Sequence, residues 1–516
     1  MTIPPVPPPI LATYRLQLHA DFPLERARGL VEYLGRLGVT HMHASPILRA
    51  RSGSRHGYDV VDPGTLNPEL GGEADLEALV NALRAQAMGL VLDIVPNHMA
   101  ASAENWRWED VLTHGLASPY ARWFDIEWRT GERELHSRVL LPVLGDYLGA
   151  VIERGELRVS LSDGALRLRY YEHAVPLDPS TYPAVLEPAL EACDHDLGWS
   201  HPGTAELRAV LGLLRRLPRR RAGASKAGTR RRRQSGEALR RLRKLCALVP
   251  EVRRRIELAA TQFGHGPGCA ERLRHLLDAQ AYRLVYWRRA AREINYRRFF
   301  DVNDLVALHM ENPEVFAQTH ALVLDWVRAG LVDGFRVDHP DGLLDPLGYF
   351  ERLGRAAFPG LSPPPIFLEK ILMRGERLRP EWPVAGSTGY DFLNQVEELF
   401  LDGGGLEQND RDYRRIVRRP MSFAAVALAG KRHELESGLS AGVRRLAQRL
   451  QRLMLRGPAI PVLPLHEVAG AIVETIAHLA VYRTYLDDRT PEPAEPDRGL
   501  LVAALAGART RGRASS

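Results

Sequence analysis

The sequence predicts an α/β chain, a (β/α)8 TIM-type barrel with a large, mostly helical insertion after strand 3, and C-terminally incomplete. Three observations lead there. Short apolar runs end in polar residues, as buried parallel strands with their chemistry at the C-terminal tip do. The clearest are Leu90-Val91-Leu92-Asp93, Gly334-Phe335-Arg336-Val337-Asp338 and Phe367-Leu368-Glu369. Amphipathic helical patterns of crossover length separate such runs. Strand-like runs total five or six, fewer than the eight that close a barrel.

In chain order, a Pro-rich leader without basic or apolar regions of a secretion signal precedes a first strand, Tyr14-Arg15-Leu16-Gln17-Leu18. A helix over 24–37 ends at Gly38, and Thr40-His41-Met42-His43-Ala44-Ser45 reads as the second strand. A helix over 74–87 leads to the third strand, 89–95. The repeat then lapses into Trp-rich loops, a small β region over 134–168 and long Arg/Leu helices. It resumes with a helix over 313–330, the Asp338 strand and the Glu369 strand. Ala480-Val481-Tyr482-Arg483-Thr484-Tyr485 reads as a last strand. The organisation is therefore 1–100 first part of a catalytic barrel, 101–290 helical insertion, 291–487 barrel continued with helical excursions, and 488–516 a tail expected to be disordered.

Apolar content of 45% and charged content of 26% are ordinary for a globular chain of 516 residues. The net charge of +6 is local: residues 215–244 hold 14 Lys/Arg against one acid, Glu237, leaving a mildly acidic remainder. That pattern argues against a nucleic-acid-binding surface, and the basic run, with Arg219-Arg220-Arg221 and Arg230-Arg231-Arg232-Arg233, reads as a solvated, partly disordered loop. Cys193, Cys246 and Cys269 are scattered and lack metal-ligand spacing, which reads as reduced thiols in a cytoplasmic protein. No metal site, cofactor motif or membrane span is expected.

Asp338 and Glu369 carry the chemistry. Their separation of 31 residues suits one strand, one crossover helix and the next strand, which aims both acids into one cleft. Two carboxylates so placed form the nucleophile and proton donor of glycoside chemistry. Arg336, two residues before Asp338, shares its face of the strand and is expected to keep it ionised. Glu369, among apolar neighbours, is expected to hold its proton; a structural ion pair and a surface Glu are the plainer readings of the two acids. At the third strand's tip, Asp93, Asn97 and His98 offer hydrogen-bonding groups, and His339 matches His98 beside Asp338. Tyr58 and His56 lie in a Gly/Ser loop that can bring a ring against a sugar, and Lys370 follows the candidate acid. Trp106, Trp108, Trp123, Phe124 and Trp128 read first as a small core and second as a sugar-binding wall.

These residues resemble the signatures of the α-amylase clan of glycosidases and, within it, the maltooligosyltrehalose synthase family. The narrower resemblance rests on Thr13-Tyr14-Arg15-Leu16-Gln17, Gly53-Ser54-Arg55-His56-Gly57-Tyr58-Asp59, Glu293-Ile294-Asn295-Tyr296-Arg297-Arg298-Phe299-Phe300, Asp338-His339-Pro340-Asp341-Gly342 and Gly386-Ser387-Thr388-Gly389-Tyr390-Asp391-Phe392. It implies an intramolecular transglucosylation that turns the reducing-end α-1,4 bond of a maltooligosaccharide into an α,α-1,1 bond. Asp338 would be the nucleophile, Glu369 the acid/base, and Arg336, His98 and His339 would hold the sugar. It also implies a pathway partner, maltooligosyltrehalose trehalohydrolase, and no cofactor. The family's third catalytic Asp lies in a Lys-Gly-x-Glu-Asp-Thr-like run that this sequence lacks, and His309 stands where the family pattern has Arg. A missing C-terminal fragment is accordingly expected as a partner. A hydrolase or 4-α-glucanotransferase of the clan, and an inactive glucan-binding fragment, are the alternatives.

Overall fold

A computed structural model describes residues 9–130, 135–218, 220, 226–264, 266–418, 422–456, 461–486 and 495–512. The chain divides into two compact units: one holds residues 1–100, 299–301 and 308–516, the other 101–298 and 302–307. The sequence pattern bounds the insertion at 101 and 290, and the second unit takes in 101–298 with 302–307.

The first unit is built on six parallel strands in chain order: β1 (Thr13–Leu16), β2 (His41–Ala44), β3 (Gly89–Ile94), β4 (Gly334–Val337), β5 (Ile366–Leu368) and β6 (Gly386–Ser387). Every residue of β2, β3 and β4 is buried, the polar His41, His43, Asp93 and Arg336 included. Register sets Arg15 beside His43 and His43 beside Val91, while Asp93 stands beside Arg336 and Arg336 beside Phe367. With a side-chain period of two, these residues share one face of the sheet, and Asp338 and Glu369 continue it past the strand tips.

Helices supply the crossovers. Glu73–Ala85 buries Leu76, Leu79, Val80 and Leu83 at helical spacing, and Asp75 accepts from the Gly72 amide at its start. Pro313–Arg328 is capped by Asn312 and buries Phe316, His320 and Val323. Pro346–Ala357 is capped by Asp345. At the end of the sheet remote from the chemistry, Arg84 grips Asp333 through two hydrogen bonds of 2.7 and 2.8 Å, and Asp333 accepts from the Leu90 amide. Gly89 is required there, because a Cβ would collide with the His41 ring and the Asp333 carboxylate.

Several expectations are corrected. The 24–37 helix is two, Leu24–Arg28 and Val31–Leu37, broken at Gly29 and Leu30. Residues 480–485 form no strand. Arg483 donates to the carbonyls of Asp341 and Leu343, and the Tyr485 hydroxyl donates to Asp341, so side chains rather than a ladder anchor the segment. The sixth strand is β6, too short for a periodic signal. Within the tail expected to be disordered, Asp497–Gly512 is a helix whose first residue is buried against Arg379. Residues 488–494 and 513–516 of that tail, and the first eight residues of the leader, lie outside the described residues.

The second unit is mostly helical, with helices such as Pro183–Asp196, Pro202–Arg215, Lys226–Leu248 and Pro250–Thr261. It also holds a three-stranded antiparallel sheet over Leu157–Ser162, Ala165–Tyr170 and His173–Pro176. Trp108, Trp123 and Phe124 are buried, so the aromatic crowd is chiefly core, with Trp106 left exposed. The basic run is not a solvated loop: Arg231 is buried on the long helix and bonded to Asp178, and Arg220 donates to the carbonyls of Ala279 and Gln280. Burial of paired arginines is invisible to a charge count. Arg219 and Arg221 fall outside the described residues. Among the described residues no helix is long and apolar enough to cross a membrane, and no His/Cys/Asp/Glu group could hold a metal ion.

Candidate active site

Asp338 and Glu369 follow directly on β4 and β5, which are neighbours. The Asp338 amide donates to the Ile94 carbonyl (2.9 Å) and the Glu369 amide to that of Val337 (3.0 Å), so each acid is fixed by the ladder one step beyond its strand. One guanidinium joins them: Arg336 Nη1 lies 2.9 Å from Asp338 Oδ1, and Nη2 lies 2.9 Å from Glu369 Oε1. The other Glu369 oxygen accepts from the His339 amide at 2.9 Å.

Asp93 completes the cluster from below. Its carboxylate is fully enclosed and receives Arg336 Nη1 at 2.7 and 2.9 Å and the Tyr58 hydroxyl at 2.6 Å. Arg15 donates to the Tyr58 hydroxyl at 2.9 Å. Three acids thus surround one guanidinium whose own proton is held more tightly than usual by their charge. A cavity of about 700 Å³ opens on this face, lined among others by Arg15, His43, Tyr58, Arg336, Glu369 and Tyr390. That volume suits a sugar of several rings.

Electrostatics differ from expectation at the nucleophile candidate. Arg336 does favour the ionised Asp338, yet its carboxyl is pushed well up. Burial is the main cause, with Arg336 opposing it and the neighbouring charges of Glu369 and Asp93 adding to it. Asp93 is likewise raised by burial against the pull of Arg336. Burial and the neighbouring acid charges thus favour the protonated form of Asp338. His43, facing the cavity, is held neutral down to about pH 3 by burial and then by the charges of Arg15 and Arg336.

The structure brings some sequence-predicted residues together and withdraws others from the surface. Tyr58, Arg336 and Glu369 line the cavity; Asp338 lies behind Arg336, its side chain 8% exposed. Asp93, Asn97 and His98 are buried, so they support rather than line the cavity. His98 and His339 pack on opposite partners of one ring: Phe299 stands 4.8 Å from the first and 5.0 Å from the second. His339 takes a left-handed backbone conformation (φ 42°), which turns the chain sharply after Asp338. His56 is exposed beside Tyr58, with its Nδ1 accepting from the Tyr58 amide. Lys370, expected to contact substrate, is instead enclosed, its ammonium 3.1 Å from both Asp341 and Glu376. Side chains alternate along the chain past β5, so the residue after an inward acid faces away. Sequence reasoning missed Arg15, His43, Phe299 and Tyr390 as parts of the site. The first two share the inward parity of their strands, a signal that could have found them.

The α-amylase catalytic-domain family matches residues 29–143. A Mycobacterium tuberculosis protein named as a maltooligosyl trehalose synthase is 33% identical over 491 residues, 92% of this chain and 48% of its own length. The structure of maltooligosyltrehalose synthase from Arthrobacter ramosus superposes with a TM-score of 0.70 at 33% identity, over 98% of this chain and 51% of that one. A Sulfolobus tokodaii structure titled as a maltooligosyl trehalose synthase gives 0.65 at 27% identity, over 98% and 52%. The chain spans about half the length of the relatives it matches. Over nearly its whole length, six parallel strands with acid-bearing tips included, the chain is similar to about half of a maltooligosyltrehalose synthase of the α-amylase family.

Proposed function

We propose that this chain carries the two-acid part of an intramolecular transglucosylase acting on maltooligosaccharides and forming maltooligosyltrehalose. The observation that carries the reading is the junction of Asp338 and Glu369, on adjacent strand tips, through the single guanidinium of Arg336. In the proposed reaction the Asp338 carboxylate attacks the anomeric carbon next to the reducing-end glucose, while Glu369 gives its proton to the departing 4-oxygen. The freed glucose stays, turns, and presents its anomeric hydroxyl. Glu369 takes that proton, the oxygen attacks, and Asp338 is released. Two displacements retain the α configuration, and no water is consumed. Tyr58 would pack against the reacting ring, Arg336 would favour the Asp338 anion against burial, and His339 would hold the sugar's hydroxyls, with Asp93, Asn97 and His98 supporting the site from beneath it. The product would pass to a trehalohydrolase that releases trehalose. Three free cysteines suit a cytoplasmic setting.

The test is incubation with maltopentaose. Loss of reducing ends with no glucose released, abolished by Asp338→Asn, is the expected result. A rise in reducing ends would instead make the chain a hydrolase of the same clan. Binding without turnover would leave it a glucan-binding unit.

A further inference from the structure

The Tyr58 hydroxyl has no bonding capacity left for a ligand. A phenol has one hydrogen to donate and two lone pairs that accept. The hydrogen goes to Asp93 at 2.6 Å, and the lone pairs receive Arg15 Nη2 at 2.9 Å and Arg336 Nη1 at 3.3 Å. What Tyr58 turns to the cavity is therefore its ring, and the groups that hold the hydroxyl set how that ring stands. Arg336 makes the longer of the two bonds and is committed to Asp93, Asp338 and Glu369. Arg15 makes the shorter one and stands 3.8 Å from Asp93, beyond hydrogen-bond length. Two residues on, Gln17 accepts from Arg15 Nη2 at 3.1 Å and donates from Nε2 to the His56 carbonyl at 3.1 Å. The β1 segment thus grips the 53–59 loop at residues 56 and 58. That loop is tight: Gly57 has φ 79°, and a Cβ there would lie 2.5 Å from the Pro46 carbonyl oxygen. The Arg15 side chain is 37% exposed, so its bonds add little to stability.

We propose that Arg15, with Gln17, is a positioning residue of this cavity: it fixes the Tyr58 hydroxyl to the β1 segment, so that the Tyr58 ring is set for a sugar before the sugar arrives. The proposal rests on reading the cavity as a glucan site, and on no step of the transglucosylation. Neither residue touches the sugar; both act through Tyr58 and its loop. A side chain already held in its bound position gives up no rotamer freedom on binding, whereas one left mobile weakens association about three- to tenfold. Removing the guanidinium leaves the hydroxyl with Asp93 and the longer Arg336 bond, and returns that freedom to the loop. Asp338 and Glu369 keep Arg336, so the two acids are spared.

The test is a double-mutant cycle on maltoheptaose binding, read by calorimetry in the chain itself or, should it turn the sugar over, in its Asp338→Asn form. Arg15→Met should weaken binding about three- to tenfold, and Gln17→Ala should weaken it in the same direction, with the urea midpoint of each unchanged. Tyr58→Phe keeps the ring and removes the hydroxyl; once it is present, Arg15→Met should cost less than about twofold more. Unchanged affinity in both Arg15→Met and Gln17→Ala overturns the proposal. An Arg15→Met effect of equal size with and without the Tyr58 hydroxyl also overturns it, by making Arg15 a direct sugar contact. Affinity lost only in step with a lowered urea midpoint overturns it as well, by making the role merely structural. Absence of maltoheptaose binding by the unsubstituted chain would strike down the glucan reading itself, and this proposal with it.

Discussion

Replacing Arg336 by Met is the most exacting perturbation of this site. The guanidinium makes four contacts of 2.7–2.9 Å to Asp93, Asp338 and Glu369, and its side chain is 9% exposed. Met conserves the stem and removes the cation that all three acids share, leaving Arg15 at 3.8 Å from Asp93. Breaking a buried ion-pair set by removing one partner costs about 3–5 kcal/mol. The acids' response fixes the pH dependence. Asp93 and Asp338 are already raised by burial despite Arg336, so without it they rise further and hold protons that the unfolded chain has released above pH ~4. The folded state then binds more protons than the unfolded one, and stability falls as pH rises. For each proton the variant retains beyond those the parent retains, the penalty should grow by about 1.4 kcal/mol per pH unit. Urea unfolding followed by tryptophan fluorescence at pH 5.5 and 7.5 measures both quantities. A penalty under about 1 kcal/mol, or one equal at the two pH values, would show that Arg336 does not neutralise this cluster and would refute the reasoning.

Other perturbations separate structural from functional roles. Lys370→Met should destabilise the first unit by about 3–5 kcal/mol in the same urea assay, since it strands Asp341 and Glu376; unchanged stability with weakened maltoheptaose binding would restore a substrate-contacting role. His320, buried between the Phe316 carbonyl and the Tyr349 hydroxyl, is held down to about 4 by burial. Its contribution is therefore present above pH ~6.5 and lost as pH falls toward about 4, at up to ~1.4 kcal/mol per unit, and His320→Gln should flatten that part of the stability profile. Gly89→Ala should cost about 1–3 kcal/mol, because the His41 ring is buried and Asp333 is held by Arg84 and Leu90; retention of the parent's urea midpoint would show that the sheet yields there.

Much of the site could be read from the chain because a buried strand's chemistry is local. Asp338 and Glu369 each end an apolar run, and the spacing between them has few solutions in an α/β fold. Arg336 was legible for the same reason, through its two-residue offset from Asp338. What escaped is what depends on partners distant in sequence. Lys370 looked like part of the acid's surroundings, but its ammonium is claimed by Asp341 and Glu376. Arg231 looked like one charge in a solvated run until Asp178, 53 residues earlier, accounted for it. Residues 480–485 have the local pattern of a strand, yet among the described residues they join no ladder and are anchored by side chains instead.

The titration of Asp338 follows the same division. The sequence shows an Arg two residues away and predicts an ionised acid; the fold adds Glu369 and Asp93 to the same guanidinium and removes water, and those additions win. A nucleophile in this setting needs its proton taken or its surroundings changed before it attacks. Sugar entering the cavity displaces the water that remains around Glu369 and brings hydroxyl donors to the acids. Donors aimed at the anion lower a carboxyl's pKa, whereas burial alone raises it. In the pH range where Asp338 holds a proton, a glucan should therefore release it on binding, and calorimetry in buffers of differing ionisation heat reads that release directly. Asp338→Asn should abolish the release while binding persists. Proton uptake, or no exchange at any pH, would mean that Asp338 is already charged in the empty site and that burial had been given too much weight.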